Sequence, residues 1–315
     1  MPVMDLHTHI ISPDTGRYPI SPLGGTRSSW SSERPVDLDG LLRQLDKAGV
    51  SKAAIVQAST AYGFDNRYVA DSIEGHQDRL IGVCSVDFRA SDAVGQIKHW
   101  VYERNFAGVR IRAADGTTPV PSETRLDDPS IDPVWAYLEA QRIPVCIQMH
   151  SSHASTLLSV LARFPSLVIA LDHGARPRLE GGPPYAAADE LFALAAYQGV
   201  FLKITSVTIQ RADREPGGDA RKLVRRLAEG FGADHLAWGS NFPASQGNLS
   251  ELRDTALAAI SELSPQEQAS FLGGTAARIS RADVRQLTAG PSGRGPHRRA
   301  LRGRLRSTRH GARRI

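Results

Sequence analysis

Eight short apolar runs rich in Val and Ile, alternating with amphipathic stretches over about 240 residues, predict a (β/α)8 TIM barrel with eight parallel strands. Gly49, Gly108 and Gly199 support this reading. Each stands at or just past a helical stretch and is followed at once by Val, the pattern of a C-cap leading into a strand. The alternative is a doubly wound open sheet, but no Gly-x-Gly-x-x-Gly turn follows the first run, which weighs against a nucleotide-binding version.

The opening run, ending in Asp5-Leu6-His7-Thr8-His9, supplies the first strand. A long segment at 10–35 follows, carrying Tyr18 and Trp30; loops of that length in a compact domain usually serve a site. The pattern then predicts a helix at 37–48, a strand at 52–57, a short helical segment at 67–74 and a strand at 80–86. Next come a helix at 93–104, a strand at 108–112, a helix at 132–140 and a strand at 144–150. A helix at 156–164, a strand at 167–172, a helix at 186–197, a strand at 200–204, a helix at 220–228 and a strand at 235–238 complete the set.

The barrel domain is expected over 1–284, followed by a basic tail at 285–315. The tail holds ten Arg, no Lys and no acid, which leaves 28 basic and 33 acidic side chains in the body. It lacks apolar periodicity and carries Gly and Pro, so disorder is expected there. Nucleic acid is not the expected partner, since no aromatic residue is interleaved for base stacking and the body is mildly acidic. A membrane is not expected either: no apolar run is long enough to span a bilayer, and the first residues lack the form of an export signal. Cys84 and Cys146 both fall inside strand-like runs, which points to buried thiols and a reducing cytoplasm. Oligomeric state is left open, a homo-oligomer included.

Residues two apart in a strand share a face, so His7 and His9 point the same way. His150 and His173 close two later apolar runs, and Asn241 follows the last. One such histidine would simply mark where a strand leaves the core. Four at the ends of three strands, where barrels of this kind carry their chemistry, predict one shared pocket for a small-molecule substrate.

The motifs Asp5-x-His7-x-His9, His150, Asp172-His173-Gly174, Trp238-Gly239-Ser240-Asn241-Phe242-Pro243 and Phe271-Leu272-Gly273-Gly274-Thr275-Ala276-Ala277-Arg278 resemble those of the amidohydrolase superfamily. In particular they resemble the amidohydrolase-related branch that includes 2-pyrone-4,6-dicarboxylate lactonase, with decarboxylases as cousins. The resemblance covers about residues 1–281. It implies either one divalent metal, zinc first, held by His7, His9 and His150, or metal-free operation as in the lactonases of the branch. A zinc with an open position would lower the pKa of bound water to about 7.

Two departures stand out. The superfamily has an Asp after strand eight that takes a proton from water; Asn241 stands there instead, able to orient but not to act as a base. Strand four reads Val109-Arg110-Ile111-Arg112, without the carboxylated Lys or the Glu of binuclear members, so a dinuclear centre is not expected. His173 then becomes the candidate for proton transfer, with His150 and Asn241 as further catalytic candidates. Arg110 and Arg112 share a strand face; if that face is the lumen, they can clamp a carboxylated substrate. Lys203 and Tyr62 are further substrate-binding candidates. The expected function is hydrolysis of a small, carboxylated lactone. The alternatives are metal-dependent decarboxylation of an aromatic or unsaturated acid, and a catalytically silent binding protein in which Asn241 marks lost chemistry.

Overall fold

The computed structural model describes residues 2–113 and 125–280, so the expected boundary at 284 and the basic tail at 285–315 lie outside the described residues. Eight strands form one sheet: β1 (Met4–Thr8), β2 (Lys52–Val56), β3 (Leu80–Ser85), β4 (Phe106–Arg112), β5 (Val145–Gln148), β6 (Ile169–Leu171), β7 (Val200–Thr205) and β8 (Leu236–Gly239). They lie in sequence order, and every hydrogen-bonded neighbour pair is parallel. The sheet closes just past β8, where Thr8 bridges Phe242 and the His9 amide donates to the Phe242 carbonyl at 2.8 Å. This is the expected TIM barrel.

Alternation along the strands sorts the side chains into two environments. Val109 and Ile111 on β4, Val145 and Ile147 on β5, and Leu202 and Ile204 on β7 join the core between sheet and helices. Their alternates occupy the lumen, which has two tiers. Met4, Leu6, Ala54, Val83, Cys146, Ala170, Phe201 and Ala237 make a buried, mostly apolar floor. Above it, nearer the C-terminal ends of the strands, come Arg110, Gln148, Asp172 and Lys203, all buried.

The helix Leu38–Ala48 starts where the Asp37 side chain accepts from the Gly40 amide and stops at Gly49, φ +63°. Gly49 is therefore the expected C-cap. Gly108 and Gly199 are not: neither has a positive φ, and each marks a close approach of backbone. A Cβ on Gly108 would come within 2.9 Å of the Pro144 carbonyl oxygen, and one on Gly199 would collide with that of Leu167. The segment Ala186–Ala196 winds as 3-10 turns rather than the predicted α-helix. Its entry residue, Tyr185 at φ +58°, supplies no side-chain cap, and the run offers little amphipathic contrast to fix an α-helical face. The helix Ser206–Arg214, directly after β7, is one that the sequence reading omitted. Among the described residues, no helix is long and apolar enough to cross a membrane.

Candidate active site

A cavity of about 260 Å³ opens at the C-terminal end of the barrel, lined by His9, His173 and Asn241 together with three arginines, Arg110, Arg112 and Arg176. The face that Arg110 and Arg112 share is the lumen, and both reach the cavity. The segment 10–35 contributes Ser28 and Trp30. Trp30 stacks on His9 with ring centroids 5.2 Å apart. Tyr18 and Tyr62 are not among the residues lining this cavity. Their hydroxyls brace the loop instead, Tyr18 donating to Asp71 at 2.7 Å and Tyr62 accepting from the Ser12 amide at 2.8 Å.

Three of the four predicted histidines cluster. The His7 ring lies 5.0 Å from His9 and 5.1 Å from His173, centroid to centroid. Room for it is made by Gly239, where a Cβ would stand 2.7 Å from that of His7. Asp5 anchors this corner, accepting from the amides of His7 and Ser240 at 2.9 Å each. Burial pushes its carboxyl up to about 6.

His150 does not join them. β5 ends at Gln148, so His150 opens the following 3-10 turn, and Gln148 takes the lumen position. The expected metal set of His7, His9 and His150 is therefore not assembled. Among the described residues, no three His, Cys, Asp or Glu side chains are grouped so as to hold a metal ion.

His9 Nδ1 lies 2.7 Å from the Val56 carbonyl. A carbonyl only accepts, so Nδ1 carries the proton and Nε2 keeps its lone pair. Burial, then the neighbouring charges, holds His9 well below the ordinary imidazole range, so the ring is neutral at pH 7. His173 Nδ1 shares a 2.8 Å hydrogen bond with the Thr205 hydroxyl, and burial likewise holds that ring well below 6.5. His173, Gly174, Ala175 and Arg176 all have positive φ, +56°, +60°, +60° and +44°. Three of these four are not glycine, and each such residue costs on the order of 1–2 kcal/mol. The strained turn delivers both His173 and Arg176 to the cavity. Asn241, at φ +58°, donates its amide N–H to the His7 carbonyl at 2.7 Å and its Nδ2 to Ser245 at 3.1 Å.

Beneath the histidines lies an ionic layer that the sequence reading did not assemble. Arg110 donates from Nε to Asp172 at 2.8 Å and from Nη2 to Gln148 at 2.6 Å. Lys203 Nζ lies 2.6 Å from the other oxygen of Asp172 and 3.2 Å from His7 Nδ1. Burial alone would raise the Asp172 carboxyl; the Lys203 charge, then His7 and Arg110, hold it well below the ordinary carboxylate range. Lys203 is only 1% exposed and is not among the cavity-lining residues, so its expected role in touching substrate does not fit its depth. Two fixed cations engage both oxygens of Asp172, and among the described residues no three His, Cys, Asp or Glu side chains are grouped to hold an ion. The residues around His7 and Asp172 therefore do not fit a resident metal.

The chain matches the family model described as amidohydrolase over residues 4–281 and belongs to that family. Among curated proteins it is similar to an L-fucono-1,5-lactonase of Burkholderia ambifaria, 27% identical over 212 residues, covering 67% of this chain and 70% of the relative. A solved structure from Pseudomonas putida, assigned as a 2-pyrone-4,6-dicarboxylic acid hydrolase, superposes with a TM-score of 0.71 at 22% identity, covering 88% of this chain and 97% of that one. An amidohydrolase from Burkholderia multivorans with bound zinc gives 0.69 at 21% identity, covering 89% and 99%. At these identities the solved structures show the shared fold alone.

Proposed function

We propose that the protein is a hydrolase that opens a small carboxylated lactone. The observation that carries this reading is the neutral His9, whose Nε2 lone pair stands at a cavity lined by three arginines. The similarity to a lactonase supports it. In this reading Arg112 and Arg176 bind the substrate carboxylate, while Arg110, committed to Asp172 and Gln148, holds the cavity floor. His9 takes a proton from water as the water adds to the lactone carbonyl. The guanidiniums and the Asn241 side chain stabilise the tetrahedral oxyanion. His9 then returns its proton to the leaving ring oxygen, giving a hydroxy acid, with one proton released to solvent as the new carboxyl ionises. His173, held by Thr205, orients the water or the ring oxygen. A reducing compartment suits Cys84 and Cys146, both buried and free.

The test is a panel of carboxylated and neutral lactones, followed by proton release at constant pH. Ring opening of a carboxylated member, with His9→Gln lowering kcat by about 100- to 10,000-fold, is the expected result. Carbon dioxide release from an aromatic or unsaturated acid, with no lactone opened, would replace this reading by decarboxylation. Tight binding without turnover of either kind would make it a binding protein.

A further inference from the structure

Lys203 Nζ has three polar neighbours, each from a different part of the barrel. Asp172 Oδ1, just past β6, lies at 2.6 Å; His7 Nδ1, on β1, at 3.2 Å; and Cys146 Sγ, on β5, at 3.2 Å. A carboxylate, an imidazole nitrogen and a sulfur are ligand types of transition metals, but here they gather around an ammonium and stand too far apart to hold an ion between them; without the ammonium they would have to draw in to reach one. We propose that Lys203 is the resident cation of this site: its ammonium takes the place of a metal ion and fixes His7 as the Nε2–H tautomer.

An ammonium has donors and no acceptor: Lys203 donates to Cys146 Sγ and to His7 Nδ1, and pairs by charge with Asp172 Oδ1, which itself lies farther from His7 Nδ1, at 3.4 Å. His7 Nδ1 must therefore accept, which puts the ring proton on Nε2. That nitrogen is buried and has no hydrogen-bond partner among the described residues. Neither ring nitrogen is then open to a metal: Nδ1 is engaged by Lys203, and Nε2 carries a proton. Both oxygens of Asp172 are likewise taken, one by Lys203 and one by Arg110. A chain in which the cation is tethered cannot lose it to a chelator. Lys203 is in this sense a positioning residue, acting through His7, whose ring packs against the cavity-lining His9 and His173, rather than touching substrate, and the inference holds whatever the substrate is.

Two measurements test it, neither of which needs turnover. The first uses native protein labelled with 15N, its histidine ring nitrogens correlated with the carbon-bound ring protons and the His7 signals identified by their loss in His7→Gln. An unprotonated Nδ1 and a protonated Nε2 are expected; a proton on Nδ1, donated to Asp172, overturns the proposal. Because it uses the native chain, this result stands even if the variants below fold poorly. The second uses cobalt(II) as the probe. Native protein should retain no cobalt after gel filtration, whereas Lys203→Ala, with the ammonium gone, should bind about one equivalent and show a thiolate-to-cobalt band in the near ultraviolet that Lys203→Ala with Cys146→Ser lacks. Cobalt held by native protein and released in His7→Gln overturns the proposal, as does a folded Lys203→Ala that takes up none.

Discussion

The Asp172 carboxylate and the Arg110 guanidinium meet at 2.8 Å across the lumen, with the carboxylate fully buried. Removing that carboxylate would leave two cations, Arg110 and Lys203, buried without their counter-charge. Asp172→Asn is expected to lower stability by about 3–5 kcal/mol, the range for breaking a buried pair by deleting one partner. Urea denaturation of the two proteins side by side measures it, and a loss under about 1 kcal/mol would contradict the picture of one shared counter-ion.

Arg112 lies two residues beyond Arg110 on the same strand face, nearer the strand end. Arg112→Ala should raise KM for a carboxylated lactone by about 10- to 100-fold, while Arg112→Lys recovers only part of the loss because an ammonium cannot form the two-pronged contact. The same substitutions should leave KM for a neutral lactone unchanged. Steady-state kinetics on the two substrates makes the comparison.

Asn241 replaces the carboxylate usual after strand eight, and it does so in a left-handed backbone conformation that Asn tolerates better than most residues. Asn241→Ala should lower kcat by about 10- to 1000-fold through loss of an orienting contact. It should also cost about 1 kcal/mol of stability at φ +58°. Asn241→Asp keeps the shape, and with Lys203 in place it should not raise metal content. Elemental analysis of the dialysed variant, alongside its kcat, checks both statements.

Stability should fall as the solution is acidified below neutrality. Burial places His7 at about 4 and holds His9 and His173 well below 6.5, so between pH 6.5 and 4 the unfolded chain binds protons on three histidines that the folded chain does not. Asp5 works the other way, since its folded value of about 6 means the native state gains a proton first. Three groups outweigh one, and each net proton changes stability by about 1.4 kcal/mol per pH unit. Denaturation at pH 5 and pH 7 should show the lower stability at pH 5. Over the same interval kcat/KM should stay level where an ordinary histidine base would lose activity, because His9 remains neutral.

The barrel itself was legible in the sequence because strand alternation and helical periodicity differ, and their order in the chain is the order of strands in the sheet. That Arg110 and Arg112 share one face was legible for the same reason. Depth along a strand was not. Period-two alternation says which face a residue takes but not how far it stands from the mouth, so Lys203 read as a substrate contact and Asp172 as part of a motif without a role. His150 was misplaced because the apolar run 144–150 outlasts the strand, which stops at Gln148. Arg176 carried no signal at all; its position depends on four successive left-handed residues, three of which the sequence gives no reason to expect there.

The apolar floor of the lumen has a consequence for turnover. Met4, Leu6, Val83, Phe201 and their neighbours fill the lumen below the ionic layer, and the cavity lies above it, with Trp30 in its wall. In the proposed reaction the opened hydroxy acid bears one more negative charge than the lactone it came from, and it faces Arg112 and Arg176. If the proposed reaction holds, those guanidiniums would retain the product, and accumulating hydroxy acid would compete with fresh lactone for the cavity.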